Sequence, residues 1–459
     1  MSMKMRIWLM FLIFLNGYVS MSLELIVMRQ ISFFVGSAAV ITSIIIGTFL
    51  GFMSFGYFMG GRYVPKNPAR ALGWNMILIA LFGALAASFP LIATYFQTMY
   101  AAGIQSGVVQ TFIFAFALLS VGPFLFGFNT TLLAHMLHSH NTNYAGNIMA
   151  WDTIGSVIAS IATTLLLMPM LGVNNTVIMV VGLTLVAAVC LNLRVMSSVV
   201  ALLIMCGALY INSDAVQEKY FGIIVNNANS TITVQDNGNV RLLYMNGLPM
   251  SMYYPASGSS APYMDYINNN FIYTMPRDRV YKILVLGAGG FTAGLNDDFN
   301  DYTFVDIEPT LKDITEQRFL RRPLGPNKKF VVRDASQFLK NTDQEYDLII
   351  LDVYSNSYQI PESLITAEFM SRIKSRVAPN GIILMNMVTS PAFEDTYTRV
   401  FDNTFHRMFP HNTQRQVIGH MNPWVHSDAA NVIYIYYNRK NDTRIYTINK
   451  TPVIYDSAY

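Results

Sequence analysis

Glycines and aspartates follow four short apolar runs in the second half of the chain. The glycines form a tight turn after the run 283–286, and one aspartate follows each of three later runs. The residues are Gly287, Gly289, Gly290, Asp306, Asp334 and Asp352. Ligands of open parallel sheets bind where the strands end, so we expect these residues to meet at one edge of a sheet.

Each of these groups suits a different part of a nucleoside ligand. Glycines let the backbone approach a ligand closely. Asp306 is suited to accept hydrogen bonds from two ribose hydroxyls, and Asp334 to accept one from an adenine amino group. Asp352 ends the strand YDLIILD and is the candidate general base, because a carboxylate there can take a proton from an attacking amine. Any single aspartate is equally typical of a helix N-cap, so the prediction depends on the whole set.

Alternating strands and helices must position these residues. The predicted strands are 281–286, 302–306, 329–333, 346–352 and 380–387, and the predicted helices are 291–297, 309–319, 335–341, 361–376 and 391–408. This alternation predicts a doubly wound parallel sheet. Two later runs, 414–419 and 431–437, are predicted to complete it as an antiparallel edge pair.

A β-rich segment precedes this sheet. ITVQDNGNVRLLYMNG has two strand-like runs around Asp236-Asn237-Gly238, which is a hairpin signal. A loop rich in Tyr, Ser and Gly follows and contains Tyr263 and Asp265. Both are candidate contacts for a cationic acceptor, with simple packing as the alternative explanation.

The first half of the chain has a different composition. Residues 1–212 contain two acids, Glu24 and Asp152, and seven Lys or Arg. Seven stretches are apolar enough to span a bilayer: 7–28, 38–60, 72–97, 107–136, 146–171, 174–193 and 197–212. The sequence therefore predicts three regions: a membrane domain (1–212, about seven spans), a β-hairpin lead-in (213–275) and a Rossmann-like nucleoside-binding domain (276–459).

The chain is predicted to be a multi-pass protein of an inner or plasma membrane, with the lipid bilayer as a partner. Lys and Arg in short loops place the amino terminus inside. If 197–212 spans, the soluble half lies outside; a cytosolic nucleoside ligand favours the inside. Glu24 and Asp152 are candidates for a cation or transport site, or else hydrogen-bond within the bundle, and Glu24 could pair with Arg29.

Charge and the other titratable residues exclude several functions. The formal charge of +3 is too small and dispersed for nucleic-acid binding. His135, His138 and His140 have no accompanying acid or cysteine, so an interfacial loop is expected there, and no metal site is predicted. A homo-oligomer is compatible with the sequence.

The soluble half resembles the spermidine synthase (polyamine aminopropyltransferase) family over about 220–440. The resemblance rests on LLYMNG, LVLGAGG, FVDIE, RDA, LIILDVYSN and IPESLITAEFM, which occur in family order. The whole chain resembles the membrane-fused variety through LELIVMRQISFFVGS and GNIMAWDTIGSVIASIATTLLLMPMLG. The resemblance implies a Rossmann-like methyltransferase/spermidine synthase fold with a small amino-terminal β lead-in.

The resemblance also implies a transferase reaction and its ligands. The co-substrate would be decarboxylated S-adenosylmethionine or S-adenosylmethionine, with no metal, and the acceptor an amine such as putrescine. Asp306 would bind ribose, Asp334 adenine, and Asp352 would deprotonate the acceptor amine. Tyr354 and Ser355 join Tyr263 and Asp265 as acceptor-binding candidates.

The chain departs from the family mainly where the polyamine would bind. Gly290 stands where the family has an acid that holds the donor's amine, Ser355 where it has a second acid, and Met250 where it has a glutamine. Three functions therefore stay open. They are an aminopropyltransferase, an S-adenosylmethionine-dependent methyltransferase, and a non-catalytic nucleoside- or polyamine-sensing domain on a membrane carrier.

Overall fold

The computed structural model describes residues 3–35, 39–104, 106–138, 145–191, 194–354, 360–420 and 430–440. The chain forms two compact units. The first comprises Met1–Asn237 and Arg241–Met250, and the second comprises Gly238–Val240 and Ser251–Tyr459. The predicted domain boundaries near 212 and 275 stay a prediction.

The first unit is mainly helical. Its helices are α1 (Met3–Val35), α2 (Ala39–Arg62), α3 (Pro68–Ala87), α4 (Phe89–Ala101), α5 (Gly107–Phe114), α6 (Val121–His138), α7 (Ala145–Ala162), α8 (Met168–Leu191), α9 (Val195–Ile211) and α10 (Asp214–Phe221). Single π-helical turns, Ala115–Leu119 and Thr163–Leu167, precede α6 and α8.

Length and composition identify the described helices that could cross a membrane. Four qualify: Met3–Val35, Ala39–Arg62, Pro68–Ala87 and Ala145–Leu191. The number rises to six if each of two bent helix pairs counts as one span. The stretch Ala145–Leu191 has a non-helical residue at Gly172 (φ 79°), between the predicted spans 146–171 and 174–193.

The predicted single span 72–97 is wrong, because the helix is interrupted at Ser88. This residue is extended (φ −84°, ψ 123°), and α4 begins directly after it with Pro90 in its first turn. Proline has no backbone N–H to donate to the preceding turn, so it favours the start of a new helix over continuation of the old one.

A five-stranded sheet follows the helices in the chain. Its strands lie in sequence order: β1 (Ile223–Asn226), β2 (Thr231–Asp236), β3 (Arg241–Met245), β4 (Leu248–Tyr254) and β5 (Ser259–Ser260). The predicted hairpin is confirmed, because β2 and β3 pair antiparallel with Asp236 opposite Arg241. The boundary between the two units falls within β4.

The second unit is built on a seven-stranded sheet. Its order is β11–β12–β10–β9–β6–β7–β8, with β6 Lys282–Leu286, β7 Asp301–Asp306, β8 Lys328–Val332, β9 Tyr346–Leu351, β10 Val377–Thr389, β11 Thr413–His420 and β12 Ala430–Tyr437. Strands β10, β9, β6, β7 and β8 are parallel, whereas β12 is antiparallel to β10 and β11. The predicted parallel sheet and its antiparallel edge pair are confirmed.

Short helices connect these strands. They are α11 (Pro262–Ile267), α12 (Leu311–Ile314), α13 (Ala335–Asn341), α14 (Ala367–Lys374) and α15 (Thr396–Met408). A π-helical turn follows α11 (Asn268–Ile272) and another follows α12 (Thr315–Phe319), and a 3₁₀ turn (Glu362–Leu364) precedes α14.

The predicted helix 291–297 is wrong, because these residues form turns. Phe291 and Gly294 have positive φ values of 55° and 58°, which an α-helix excludes. The side chain of Asn268 accepts a hydrogen bond from the Gly294 N–H and donates one to the Thr292 carbonyl. These bonds satisfy backbone groups that a helix would otherwise pair.

Candidate active site

The carboxyl ends of four parallel strands, β9, β6, β7 and β8, lie side by side in the second unit. The Asp352 N–H donates to the Leu286 carbonyl at 2.8 Å, and the Gly287 N–H donates to the Val305 carbonyl at 2.9 Å. Asp352, the glycine turn and Asp306 therefore follow adjacent strands at one edge of the sheet, as the ligand-binding edge of this architecture requires.

Gly287 is required by the geometry of this edge. Its φ is +94°, and a Cβ there would overlap the main-chain oxygen of Asp352. Any side chain would therefore separate the turn from the end of β9.

Gly290 has no space for a side chain. Its N–H donates to Ser251 Oγ at 2.8 Å, and a Cβ would overlap the ring of Phe319. The ring and the serine occupy the space that an acid at this position would need.

Asp306 fastens the glycine turn to the end of β7. Its Oδ2 accepts a hydrogen bond from the Ala288 N–H at 2.9 Å, and its Oδ1 accepts one from the Glu308 N–H at 3.0 Å. Burial raises the pKa of Asp306, and these backbone donors oppose that rise. Each carboxylate oxygen can accept a further bond, so the geometry is compatible with the predicted contact to ribose.

Asp334 is the N-cap of α13. Its Oδ1 accepts a hydrogen bond from the Gln337 N–H at 2.9 Å. The N-cap alternative is thus confirmed for this residue. The bond uses one of the two carboxylate oxygens, so the other can still accept a hydrogen bond, and the contact to adenine stays a prediction.

Asp352 is held by two side-chain donors. The Tyr263 hydroxyl donates to Oδ2 at 2.9 Å, and Asn386 Nδ2 donates to Oδ1 at 2.8 Å. Burial raises the pKa of Asp352, whereas the bonds from Asn386 and Tyr263 lower it. Burial also raises the pKa of Tyr263, and the Asp352 charge adds to this effect, so the phenol stays a donor. The arrangement fixes an oriented carboxylate that can accept a proton.

Two tyrosines lie near this carboxylate. Tyr263 lies on α11, which starts at Pro262, and the Tyr354 hydroxyl donates to the Asn386 carbonyl at 2.9 Å. The electrostatic influence of Asp352 extends to Tyr354 as well as Tyr263. Aromatic faces attract cations, so this group of rings suits an ammonium-bearing ligand.

Asp265 and Ser355 are the other two residues predicted to contact the acceptor. Asp265 Oδ1 accepts hydrogen bonds from the Ser260 N–H at 2.8 Å and the Ser260 hydroxyl at 2.6 Å, so this carboxylate stabilises the start of α11. Ser355 lies outside the described residues. Within the described part of the chain, no group of three or more His, Cys, Asp or Glu could hold a metal ion.

Asn386 is a site residue that the sequence prediction missed. It lies near the carboxyl end of β10 and is 1% exposed. The available signal was a single amide in the apolar run IILMNMV. A buried amide in such a run requires a hydrogen-bond partner, but the sequence does not identify Asp352 as that partner.

A parallel sheet with a glycine turn and acids at its carboxyl edge is typical of a Rossmann-like fold. Residues 274–419 match the family model of the spermine/spermidine synthase domain. This segment is therefore similar to a spermidine synthase domain, and the similarity supports a transferase.

Individual proteins are also similar to part of this chain. The polyamine aminopropyltransferase of Vibrio vulnificus is 28% identical over 152 residues, covering 31% of this chain and 50% of the relative. That of Sulfolobus acidocaldarius is 32% identical over 131 residues, covering 26% and 43%. The chain thus spans about half the length of the curated relatives it matches. A probable spermidine synthase structure from Corynebacterium glutamicum is 21% identical with a TM-score of 0.38, covering 49% of this chain and 82% of that chain.

Proposed function

We propose that this protein is a membrane-anchored aminopropyltransferase. It transfers an aminopropyl group from decarboxylated S-adenosylmethionine to an amine such as putrescine. The observation that carries the proposal is the Asp352 carboxylate, held by Tyr263 and Asn386 beside the glycine turn. The family relationship of residues 274–419 supports the same reaction class.

Asp352 is the proposed general base. It removes a proton from the acceptor ammonium, and the free amine nitrogen attacks the carbon next to the sulfonium. A carbon–nitrogen bond forms while the carbon–sulfur bond breaks, and the sulfur leaves as a neutral thioether. A sulfonium is already a good leaving group, so positioning and one base suffice for the reaction.

The donor and the acceptor are proposed to occupy different sides of Asp352. The glycine turn and Asp306 would hold the ribose, and Asp334 would accept from the adenine amino group. Tyr263 and Tyr354 would contact the acceptor cation through their rings.

Binding and turnover measurements test this proposal. The purified full-length protein is titrated in a calorimeter with each sulfonium donor, and products from putrescine are followed by mass spectrometry. Asp352→Asn should reduce turnover by about 10²- to 10⁴-fold, the usual contribution of a general base. Asp347→Asn is the matched control, because Asp347 lies on β9, the strand that Asp352 directly follows, but pairs with Arg279. Equal turnover in the two variants would refute the assignment of the base.

A methyltransferase is the second candidate, and the geometry at Gly290 favours it. Phe319 and Ser251 fill the space of the acid that holds the donor's amine in aminopropyltransferases. S-adenosylmethionine keeps a carboxylate beside that amine, so the missing acid suits it better. Calorimetry decides between the two. Tighter binding of S-adenosylmethionine supports methyl transfer, and failure to bind either donor would refute both enzymatic proposals.

The helical unit is proposed to anchor the enzyme as a multi-pass protein of an inner or plasma membrane. The proposed donor is a cytosolic metabolite, so the second unit is proposed to face the cytoplasm, against the simple count of basic loop residues. A compartment-sensitive reporter fused after residue 459 tests the orientation. A signal from the outer side would contradict an enzyme that consumes a cytosolic donor.

A further inference from the structure

A stripe of polar residues is buried along one face of α1. Asn16, Ser20 and Glu24 recur at every fourth position, and neighbours at this spacing share a helix face. Their exposures are only 4%, 7% and 8%. Polar groups are costly in an apolar bundle of this kind, and in membrane helices they usually mark functional sites.

Asp152 of α7 adjoins the amino-terminal end of this stripe. Asn16 Nδ2 lies 3.4 Å from Asp152 Oδ1 and 3.1 Å from Thr130 Oγ1 of α6. The Oδ1 atom of Asn16 is buried and has no hydrogen-bond partner. Helices α1 and α7 cross closely here, because a Cβ at Gly17 would overlap the Asp152 carbonyl oxygen. The acid is therefore held against the stripe by the packing of two helices.

Neither acid of the helical unit has a positive partner among the described residues. Glu24 has no hydrogen bond or ion pair there, and Asp152 has its bond from Asn16 but no ion pair. The predicted pairing of Glu24 with Arg29 is wrong. The Arg29 guanidinium donates instead to the Asn227 and Ala228 carbonyls.

A bound proton is the simplest way to stabilise these carboxyls. An ionised carboxylate without a positive partner is very costly in an apolar interior, and protonation removes that cost without a change of shape. A metal cation would need several oxygen ligands, whereas Asn16 presents an N–H to Asp152. Tyr57 of α2 is a titratable group that interacts electrostatically with Asp152, and no charged side chain in the described residues acts on Glu24.

We propose that Glu24 and Asp152 are two proton-binding carboxyls of the helical unit, connected through Asn16 and Ser20. Glu24 lies eight residues from Asn16, about 12 Å along the helix axis, and Ser20 lies halfway between them. The pair binds and releases protons from within the bundle. The inference rests on the proposed membrane location of this unit and is independent of the transfer reaction.

Infrared difference spectroscopy of the full-length protein in lipid nanodiscs tests the inference. A protonated carboxyl has a C=O stretching band that an ionised carboxylate lacks. At pH 7 we expect bands from two protonated carboxyls. Glu24→Gln should remove one band, and Asp152→Asn the other. Asp301→Asn is the control, because this acid is exposed and lies in the second unit, so its loss should leave both bands unchanged.

A further variant keeps both acids, so it tests the inference even if the acid substitutions prevent folding. Asn16→Leu removes the N–H donor, so the Asp152 band should move to higher frequency while the Glu24 band stays in place. Absence of both bands at pH 7, or bands that neither acid substitution removes, would overturn the inference. Aminopropyl transfer is measured on the same samples: bands without transfer refute only the proposed reaction, and transfer without bands refutes only the proton sites.

Discussion

Replacement of Asn386 by leucine is the most informative test of the proposed base. Leucine has the same branching at Cγ as asparagine but cannot donate, so Asp352 would keep only the bond from Tyr263. A hydrogen bond to a charged group contributes about 1.5–3 kcal/mol, and each 1.4 kcal/mol changes a rate tenfold. We therefore expect Asn386→Leu to lower kcat/KM at pH 7 by about 10- to 100-fold.

The pH dependence of this loss has a defined sign. Burial raises the pKa of Asp352, and the donors on Asn386 and Tyr263 oppose the rise. Only the ionised carboxylate can accept a proton, so activity is present above this pKa and is lost as the pH falls through it. Removal of the Asn386 donor raises the pKa further. The acidic limb of the kcat/KM profile should therefore move to higher pH, and the deficit should shrink in alkaline buffer.

The assay is product formation measured by mass spectrometry across the pH range. Asn431→Leu is the matched control, because Asn431 is also a buried asparagine, 3% exposed, on the adjacent strand β12. Tyr263→Phe should shift the acidic limb in the same direction. An unchanged limb in Asn386→Leu, or an equal shift in the control, would refute the proposed role of Asn386 in holding the base.

Three further substitutions test the structure around the site. Gly290→Ala should reduce stability by about 1–3 kcal/mol, because its Cβ overlaps the Phe319 ring. Adding Phe319→Leu should recover part of this loss in thermal unfolding, and independent effects of the two substitutions would contradict the contact. Asp334→Asn should preserve stability, because asparagine also caps helices, but should weaken donor binding in calorimetry; unchanged affinity would exclude the adenine contact. Tyr302→Phe should cost about 1–3 kcal/mol of stability, because it removes the 2.6 Å bond to the buried Asp297, and an unchanged unfolding midpoint would show that this bond is dispensable.

The strands of the second unit were predictable because their signals are local. The run 346–352 is apolar, β-rich and bounded by polar residues, and the structure has β9 at Tyr346–Leu351. Helix α13 occupies the predicted residues 335–341 because Asp334 caps it from the adjacent position. The positions of the glycines and aspartates at the sheet edge follow from these elements.

The errors arise where distant side chains determine local structure. The turn at 291–297 depends on Asn268, and the orientation of the Asp352 carboxylate depends on Asn386, 34 residues further along the chain. The sequence also does not reveal the bonds of Asp265 to Ser260, and the predicted contact of Asp265 with the acceptor stays a prediction. Periodicity identifies elements, whereas these partners are defined only by the tertiary fold.

The same reasoning changes how the glycine at position 290 should be interpreted. From the sequence, Gly290 is simply the absence of an acid that a single substitution would restore. In the structure, Phe319 fills the space beside it and Ser251 binds its N–H, so an aspartate there would have no room for its Cβ. In the proposed reaction, the preference for one sulfonium donor over the other would therefore depend on Gly290, Ser251 and Phe319 together. A change of donor preference should require replacement of Phe319 as well as Gly290, and a single acidic substitution should mainly destabilise the turn.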